Sequence, residues 1–356
     1  MSFRNSRKNI LVAPLNWGLG HATRCIPIIR ELKKNGFNPI IASDGIALDL
    51  LTKEFPDLIC LELPSHNIKY SKKNASLKLN LIKNSPRIIK TFFSEKKLVK
   101  KWVSEYNLVG IISDNRLGVR NNKIKSVYIT HQLNILSGNT TWISSKIHQF
   151  FIRKFDECWI PDFKKFPNFS GFLGHVNKVK SKKFNLKYIG ILSRFEKQNI
   201  PIKYDLMVVL SGLEPQRSIL EKKMIFELEN YTGNVIFVKG IIEPEQIQER
   251  VGNIIFYNFM QSNQLEKTLN ESEIVVCRSG YSTIMDLAKL EKKAFFIPTP
   301  GQFEQEYLAK KFKQNGLIPY QKQNYFTIDN LNEGILYKGF SNFNSKIVWE
   351  DLFCFF

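Results

Sequence analysis

The chain of 356 residues carries 52 Lys and Arg against 32 Asp and Glu, a formal net charge of +20, with 43% hydrophobic and 24% charged residues. That length is too great for one ordinary hydrophobic core and fits two domains, and the composition excludes a disordered chain. The sequence holds no uninterrupted apolar run of about 18 residues, which argues against a spanning helix, and Cys25, Cys60, Cys158, Cys277 and Cys354 form no Cys-x-x-Cys pair, which argues against a disulfide framework, a zinc site or an oxidising compartment.

In chain order, Asn9 to Leu15 reads as a first buried strand, its apolar run too short for a signal peptide. The loop Asn16-Trp17-Gly18-Leu19-Gly20-His21 follows, then a helix from Ala22 to Asn35 with Ile26, Ile29 and Leu32 at helical spacing and Gly36 closing it. Pro39 to Ser43 completes a strand–helix–strand unit. Further strands are predicted at Leu58 to Leu63, Leu108 to Ser113, Ser126 to Thr130 and Glu157 to Ile160, with an irregular stretch over 162–187 and a last strand from Lys187 to Leu192. Short apolar runs of this kind mark a parallel sheet buried on both faces. Asp114 and His131 then fall just beyond strand C-terminal ends, the edge where open α/β sheets bind ligands.

A second α/β series follows a polar break that contains Pro201: strand Leu206 to Leu210, loop Ser211 to Pro215, helix Gln216 to Leu228, strands Asn234 to Val238, Ile254 to Tyr257 and Glu273 to Cys277, helix Ser282 to Leu290 and strand Ala294 to Pro298. The expected fold class is α/β, two doubly wound Rossmann-like domains facing a cleft. Residues 1–195 form the first domain, 196–204 a linker, 205–340 the second domain, and 341–356 a segment packing back on the first.

The loop Cys277-Arg278-Ser279-Gly280 leaves a buried strand and enters a helix, so backbone N–H groups and a helix N-terminus converge on one point. Such a terminus carries partial positive charge and suits a diphosphate. Gly280 permits close approach, Ser279, Ser282 and Thr283 add hydroxyls, and Arg278 either pairs with phosphate or serves a structural ion pair. Asp286, one turn on, is placed to accept both hydroxyls of a ribose. The loop PTPGQFEQE repeats the arrangement, with Gln305 and Glu306 at a loop–helix junction suited to sugar hydroxyls.

RSGYSTIMDLA followed by PTPGQFEQEYLAKK resembles the donor-binding region of GT-B glycosyltransferases, in particular the family 28 enzymes that add N-acetylglucosamine to the lipid-linked peptidoglycan precursor. The resemblance implies that Ser279 and Gly280 hold the nucleotide diphosphate, Asp286 the ribose, and Gln305 with Glu306 the donor sugar. Glu306 departs from the family's second Gln, which leaves the sugar open. LSGLEPQR resembles the glycine loop that opens the family's second domain, implying a turn at Gly212 and Arg217 near the leaving diphosphate. Phe259-Met260 resembles the segment that frames the base.

In the first domain the glycine loop with Asn16, Gly18 and Gly20 makes a second anion site, here for the acceptor, with His131 as a further candidate. A histidine at a helix start can serve as general base. Transferases of related type use such a residue on the acceptor hydroxyl, which implies His21 as base and Asp114 as its orienting carboxylate. Capping of the loop is the other reading of Asp114. The chain holds no Asp-x-Asp triplet, which agrees with metal-independent chemistry and no cofactor beyond the nucleotide-sugar donor.

Between Lys69 and Lys101 lysines interleave with apolar residues, and Arg87 to Val103 reads as a basic amphipathic helix suited to an anionic membrane, with Lys146 to Phe155 as a second basic aromatic stretch. His66, His148 and His175 carry no signal. Taken together, the sequence implies an inverting glycosyltransferase, monomeric or weakly dimeric, moving a sugar from a uridine-linked nucleotide donor, with UDP-N-acetylglucosamine as the candidate, to a hydroxyl of a glycan or lipid-linked acceptor. It is expected in the cytoplasm, peripheral on the inner face of the membrane. GLGHATRC also resembles sugar-nucleotide hydrolases of the same fold, and a basic nucleic-acid-binding protein explains the charge but not the ordered loops, with no RNA- or DNA-binding signature present.

Overall fold

A computed structural model describes residues 7–65, 77–177, 184–212, 214–341, 343 and 346–356, with 77–88 described in backbone only. The chain divides into two compact units, 1–192 with 346–356, and 193–345.

In the first unit, strands β1 (Asn9–Pro14), β2 (Asn38–Ser43), β3 (Cys60–Glu62), β4 (Leu108–Asp114), β5 (Lys125–Ile129), β6 (Glu157–Ile160) and β7 (Leu186–Tyr188) form a parallel sheet in the order β3-β2-β1-β4-β5-β6-β7. Helices α1 (Gly20–Lys34), α2 (Gly45–Glu54), α3 (Leu77–Glu105) and α4 (Thr141–Ile152) cover it. Successive residues of β1 feed opposite faces: Ile10 and Val12 pack with Ile26, Ile29 and Leu32 of α1, while Leu11 and Ala13 pack with Val99 and Trp102 of α3. Burial on both faces is why the strand reads as an unbroken apolar run. A C-terminal helix, Trp349–Phe353, adds Leu352 and Phe353 to the α1 side of this core, and Lys8 donates to the Phe356 carbonyl.

Strand order reverses at β1, which lies between β2 and β4. In register, Pro14 pairs with Asp114, and the Leu15 N–H donates to the Asp114 carbonyl at 2.9 Å. The loops that leave β1 and β4 therefore start side by side at the switch point of the sheet, the place where doubly wound folds bind ligands.

The second unit holds β8 (Tyr204–Val209), β9 (Val235–Val238), β10 (Gln248–Val251), β11 (Ile254–Tyr257), β12 (Ser272–Cys277) and β13 (Lys293–Phe296) in the order β10-β11-β9-β8-β12-β13. All pairs are parallel except β10 with β11. Helices α5 (Gln216–Glu227), α6 (Ser262–Asn270), α7 (Tyr281–Lys289) and α8 (Phe303–Gln314) complete it. Its core joins Leu206, Val208, Val276 and Phe295 of the sheet to Leu220 and Met224 of α5.

The predicted strands at 58–63 and 187–192 are shorter than expected, at 60–62 and 186–188. Residues 196–204, read in sequence as a linker, belong by their contacts to the second unit, which starts at Ser193, with Glu196 N–H on Glu266, Gln198 N–H on Asn270 and Lys203 N–H on the Glu271 carbonyl. A polar, proline-bearing stretch reads as a spacer, but its backbone groups are satisfied along α6 and the start of β12. Among the described residues no helix is long and apolar enough to cross a membrane.

Candidate functional site

At the β1–β4 switch point, α1 opens at Gly20 after a loop in which Gly18 takes φ +78°, a left-handed conformation that favours glycine. His21 therefore lies in the first turn, and its Nδ1 stands 2.8 Å from Asp114 Oδ1. Asp114 is fully buried. Burial alone would push its carboxyl up, but Arg24 and His21 outweigh it and hold the value down to about 2, so the group stays charged. For His21 burial is the largest influence and lowers the pKa. Attraction from Asp114 only partly offsets this and Arg24 adds to the lowering, so the ring is neutral at pH 7.

Arg24, one turn along α1, grips both carboxylate oxygens of Asp114 through Nε and Nη2. Its Nη1 lies 3.0 Å from Nδ1 of His131, just past the end of β5, and its Nη2 lies 2.9 Å from His21 Nδ1. The Cys25 thiol, 3.7 Å from Asp114, is pushed well up by burial and by that carboxylate, so it stays protonated and is no nucleophile. Asn115, at φ +58°, accepts from the Tyr128 hydroxyl at 2.9 Å.

Beside this cluster Asn16 donates to Asp44 at 3.1 Å, and Asp44 is paired with the buried Arg116. Arg116 also donates to the Pro14 carbonyl at 2.9 Å and to Glu95 of α3 at 2.7 Å. The glycine loop is thus braced by a buried ion network rather than left to fluctuate. Asn16, Gly18, Gly20, His21, Asp114 and His131, singled out in sequence, gather at one edge of one sheet. Arg24 was missed, because at an i+3 spacing from His21 it reads as an ordinary helix residue.

In the second unit β8, β12 and β13 are neighbours, so the loops Ser211–Pro215, Arg278–Gly280 and Pro298–Gln302 leave adjacent parallel strands on the same edge. Gly212 takes φ +104°, which a side chain rarely adopts. The N-cap of α7 is Gly280, without a side-chain cap. Ser282 and Thr283 stand in the first turn of that helix, and Met260 lies partly buried just before α6.

Two arginines of this region are held by protein partners. Arg278, read in sequence as either a phosphate partner or a structural residue, is 1% exposed: Nη1 donates to the carbonyls of Ile297 and Pro298, and Nη2 to the Gln216 carbonyl and Gln323 Oε1. Desolvation lowers its pKa to about 10, and it serves as a pin through the loops after β8 and β13. Arg217, expected near the diphosphate, is committed to Glu214, Glu221 and the Lys239 carbonyl.

Ser279 spends its hydroxyl on the Gln305 carbonyl at 2.8 Å, Gln305 accepts from the Thr299 N–H at 2.8 Å, and Glu306 accepts from the Gly301 N–H at 2.9 Å. These side chains shape the loop before α8. Asp286 on α7 accepts from the Ser193 hydroxyl at 2.6 Å. Desolvation pushes its carboxyl up to about 6 against the pull of Arg194 and Ser193. Ser193, 93 positions away, left no signal in sequence.

Residues 216–342 match the Glycosyltransferase family 28 C-terminal domain. Over 335 residues the chain is 23% identical to the UDP-N-acetylglucosamine–N-acetylmuramyl-(pentapeptide) pyrophosphoryl-undecaprenol N-acetylglucosamine transferase of Buchnera aphidicola, covering 91% of this chain and 87% of that one. The enzyme of the same name from Actinobacillus pleuropneumoniae serotype 5b is 25% identical over 318 residues, covering 87% and 83%. Among solved structures, Acinetobacter baumannii MurG superposes with a TM-score of 0.54 at 13% identity, over 93% of this chain and 90% of that one.

Proposed function

We propose that this chain, a GT-B glycosyltransferase whose second unit matches the C-terminal domain of glycosyltransferase family 28, moves N-acetylglucosamine from a uridine diphosphate donor to a hydroxyl of a lipid-linked glycan acceptor. The observation that carries this reading is the row of loops after β8, β12 and β13, with Asp286 one turn into α7, inside the segment that matches the family domain.

The donor's diphosphate meets the N-terminus of α7 and the backbone N–H groups of 278–280, which neutralise charge as the nucleotide leaves. With Arg217 and Arg278 committed elsewhere, this work falls to backbone and helix dipole. Asp286 takes the ribose hydroxyls and gives up its bond from Ser193 to do so. In the first unit His21 Nε2 takes the proton of the acceptor hydroxyl as its oxygen attacks the anomeric carbon. The bond from that carbon to the diphosphate breaks and the configuration inverts, while Asp114 stabilises the imidazolium that forms. The absence of an Asp-x-Asp triplet supports a metal-independent route.

A lipid-linked acceptor calls for a membrane-facing surface. In the first unit α3 and α4 meet through Phe92 and Phe151, with ring centroids 5.4 Å apart. Ile89 and Phe93 of α3 and Trp142, Ile147 and Phe150 of α4 are each more than half exposed. Lys146 and Lys154 lie over the rings of Trp142 and Phe150 at 4.9 and 4.3 Å. Apolar side chains with lysines held alongside them suit the boundary of an anionic bilayer. We assign this face to peripheral contact with the inner leaflet. The apolar face expected of Arg87 to Val103 is thus shared: Val99 and Trp102 enter the core while Ile89 and Phe93 stay outside. Residues 69–76 of the basic segment and His66 lie outside the described residues.

A thermal-shift panel of uridine, guanosine and thymidine diphosphates and their sugars tests the donor assignment. Selective stabilisation by UDP and UDP-N-acetylglucosamine, lost in Asp286→Ala, is expected by linkage. Equal response to all nucleotides overturns it.

A further inference from the structure

Arg24 is 4% exposed and reaches a carboxylate and two imidazoles at once. The groups around it are His21 and Cys25 from its own helix, Asp114 and Asn115 from the end of β4, and Tyr128 and His131 from β5 and its following loop.

A guanidinium can only donate. Nη1 at 3.0 Å from His131 Nδ1 therefore requires that nitrogen to offer its lone pair, and the neutral ring then carries its proton on Nε2. The Gln132 amide nitrogen stands 3.4 Å from that Nε2, a longer contact than the guanidinium makes with Nδ1, so the closer, charged donor takes the lone pair. At His21 the logic reverses. Its Nδ1 faces a carboxylate oxygen, which only accepts, at 2.8 Å, and Nη2, which only donates, at 2.9 Å. Nη2 has the closer bond with Asp114 Oδ1, so the His21 Nδ1 hydrogen also goes to that oxygen and Nε2 is left with its lone pair.

We propose that Arg24 is a positioning residue that holds two imidazoles in opposite tautomers, taking the His131 Nδ1 lone pair directly and anchoring the Asp114 carboxylate that takes the His21 Nδ1 hydrogen, so that His21 Nε2 is left ready to take a proton. This deepens the assignment of His21 as base and rests on it. A single buried cation, with the carboxylate it grips, thereby holds two chemically identical side chains in opposite tautomers. Loss of the cation also lets His21 hold a proton more readily, because a positive neighbour is gone while Asp114 remains.

Two-bond 1H–15N spectra of the full chain with 15N-labelled histidine, assigned with His21→Asn and His131→Asn, read both tautomers and their titration without donor, acceptor or turnover. In the unsubstituted protein His21 is expected as the Nδ1–H form and His131 as the Nε2–H form. Arg24→Met is expected to release His131 into a mixture of both forms and to raise the His21 midpoint by about one pH unit. Arg24→Lys keeps the charge but loses the fork, so it should release His131 with a smaller change at His21; it decides the matter if Arg24→Met does not fold. His21 in the Nε2–H form, or tautomers and midpoints unchanged in a folded Arg24 variant, overturns the proposal. If the tautomers are as stated but His21→Ala still transfers sugar, the base assignment fails and the positioning role stands.

Discussion

His21 Nδ1 stands 2.8 Å from Asp114 Oδ1 although 93 residues separate them, because Pro14 and Asp114 end paired strands in register. The helix that starts at Gly20 then lowers the imidazole onto the carboxylate. Geometry of this kind fixes a base: the ring is held by one nitrogen and works with the other.

His21→Ala is expected to lower the rate of transfer by roughly 10²–10⁴, the usual worth of a general base, while UDP affinity stays unchanged. Steady-state kinetics beside calorimetric titration of UDP measures both. Asp114→Asn should also be slow, but it leaves Arg24 buried without its counter-ion, at a cost of about 3–5 kcal/mol in stability. Its kinetics therefore have to be taken well below its melting temperature.

The pH dependence follows from the same pair. Because burial lowers the His21 pKa, kcat should stay level through neutrality and fall as pH drops below a midpoint under 6.5, where the ring becomes protonated and stops serving as base. Asp114→Asn removes the influence that raises this pKa, so its midpoint moves lower still. An acidic limb centred above pH 7 contradicts the assignment.

Asp286 couples stability to donor binding. Its folded pKa, about 6, lies above the ordinary carboxylate value of 3.8, so its contribution to stability is present in full below about pH 3.8 and lost as pH rises through about 6. At pH 7.5 the ionised group is a net cost. Asp286→Asn should then raise stability by about 1–3 kcal/mol, with the gain vanishing near pH 4, while UDP affinity falls at least about tenfold. Denaturant melts at both pH values check this; a less stable variant at pH 7.5 would mean that the bond from Ser193 dominates.

The face of α3 and α4 predicts membrane binding that depends on lipid charge. In flotation the chain should recover with vesicles containing anionic lipid and weakly with neutral ones, and Phe93→Ser with Trp142→Ser should abolish recovery without altering UDP affinity. Equal recovery with both vesicles sinks the assignment.

Much of this arrangement is legible in sequence, because strands buried on both faces announce themselves and the residue past each strand end can be counted. His21, Asp114 and His131 were placed that way; the helix read from Ser282 starts one residue earlier, at Tyr281, and the turn at Gly212, with φ +104°, was read from a family resemblance. Helix α6 and strand β10 were not: Gln261 to Asn270 offers few apolar positions, and Gln248–Val251 is exposed throughout, its pairing set by the turn at Gly252. Helix α4 hides for another reason, since Trp142, Ile143, Ile147 and Phe150 face outward and blur its periodicity. The true partners of Arg24, Arg278 and Asp286 are fixed by contacts across tens of residues. No local pattern distinguishes a guanidinium that meets a phosphate from one that pins three loops.

The most direct test is UDP release from UDP-N-acetylglucosamine, followed with and without undecaprenyl-pyrophosphoryl-N-acetylmuramyl-pentapeptide in vesicles. Release that depends on the acceptor, matches disaccharide product one for one and disappears in His21→Ala is the predicted result. Release at the same rate without the acceptor would make the chain a hydrolase of its donor and contradict the account.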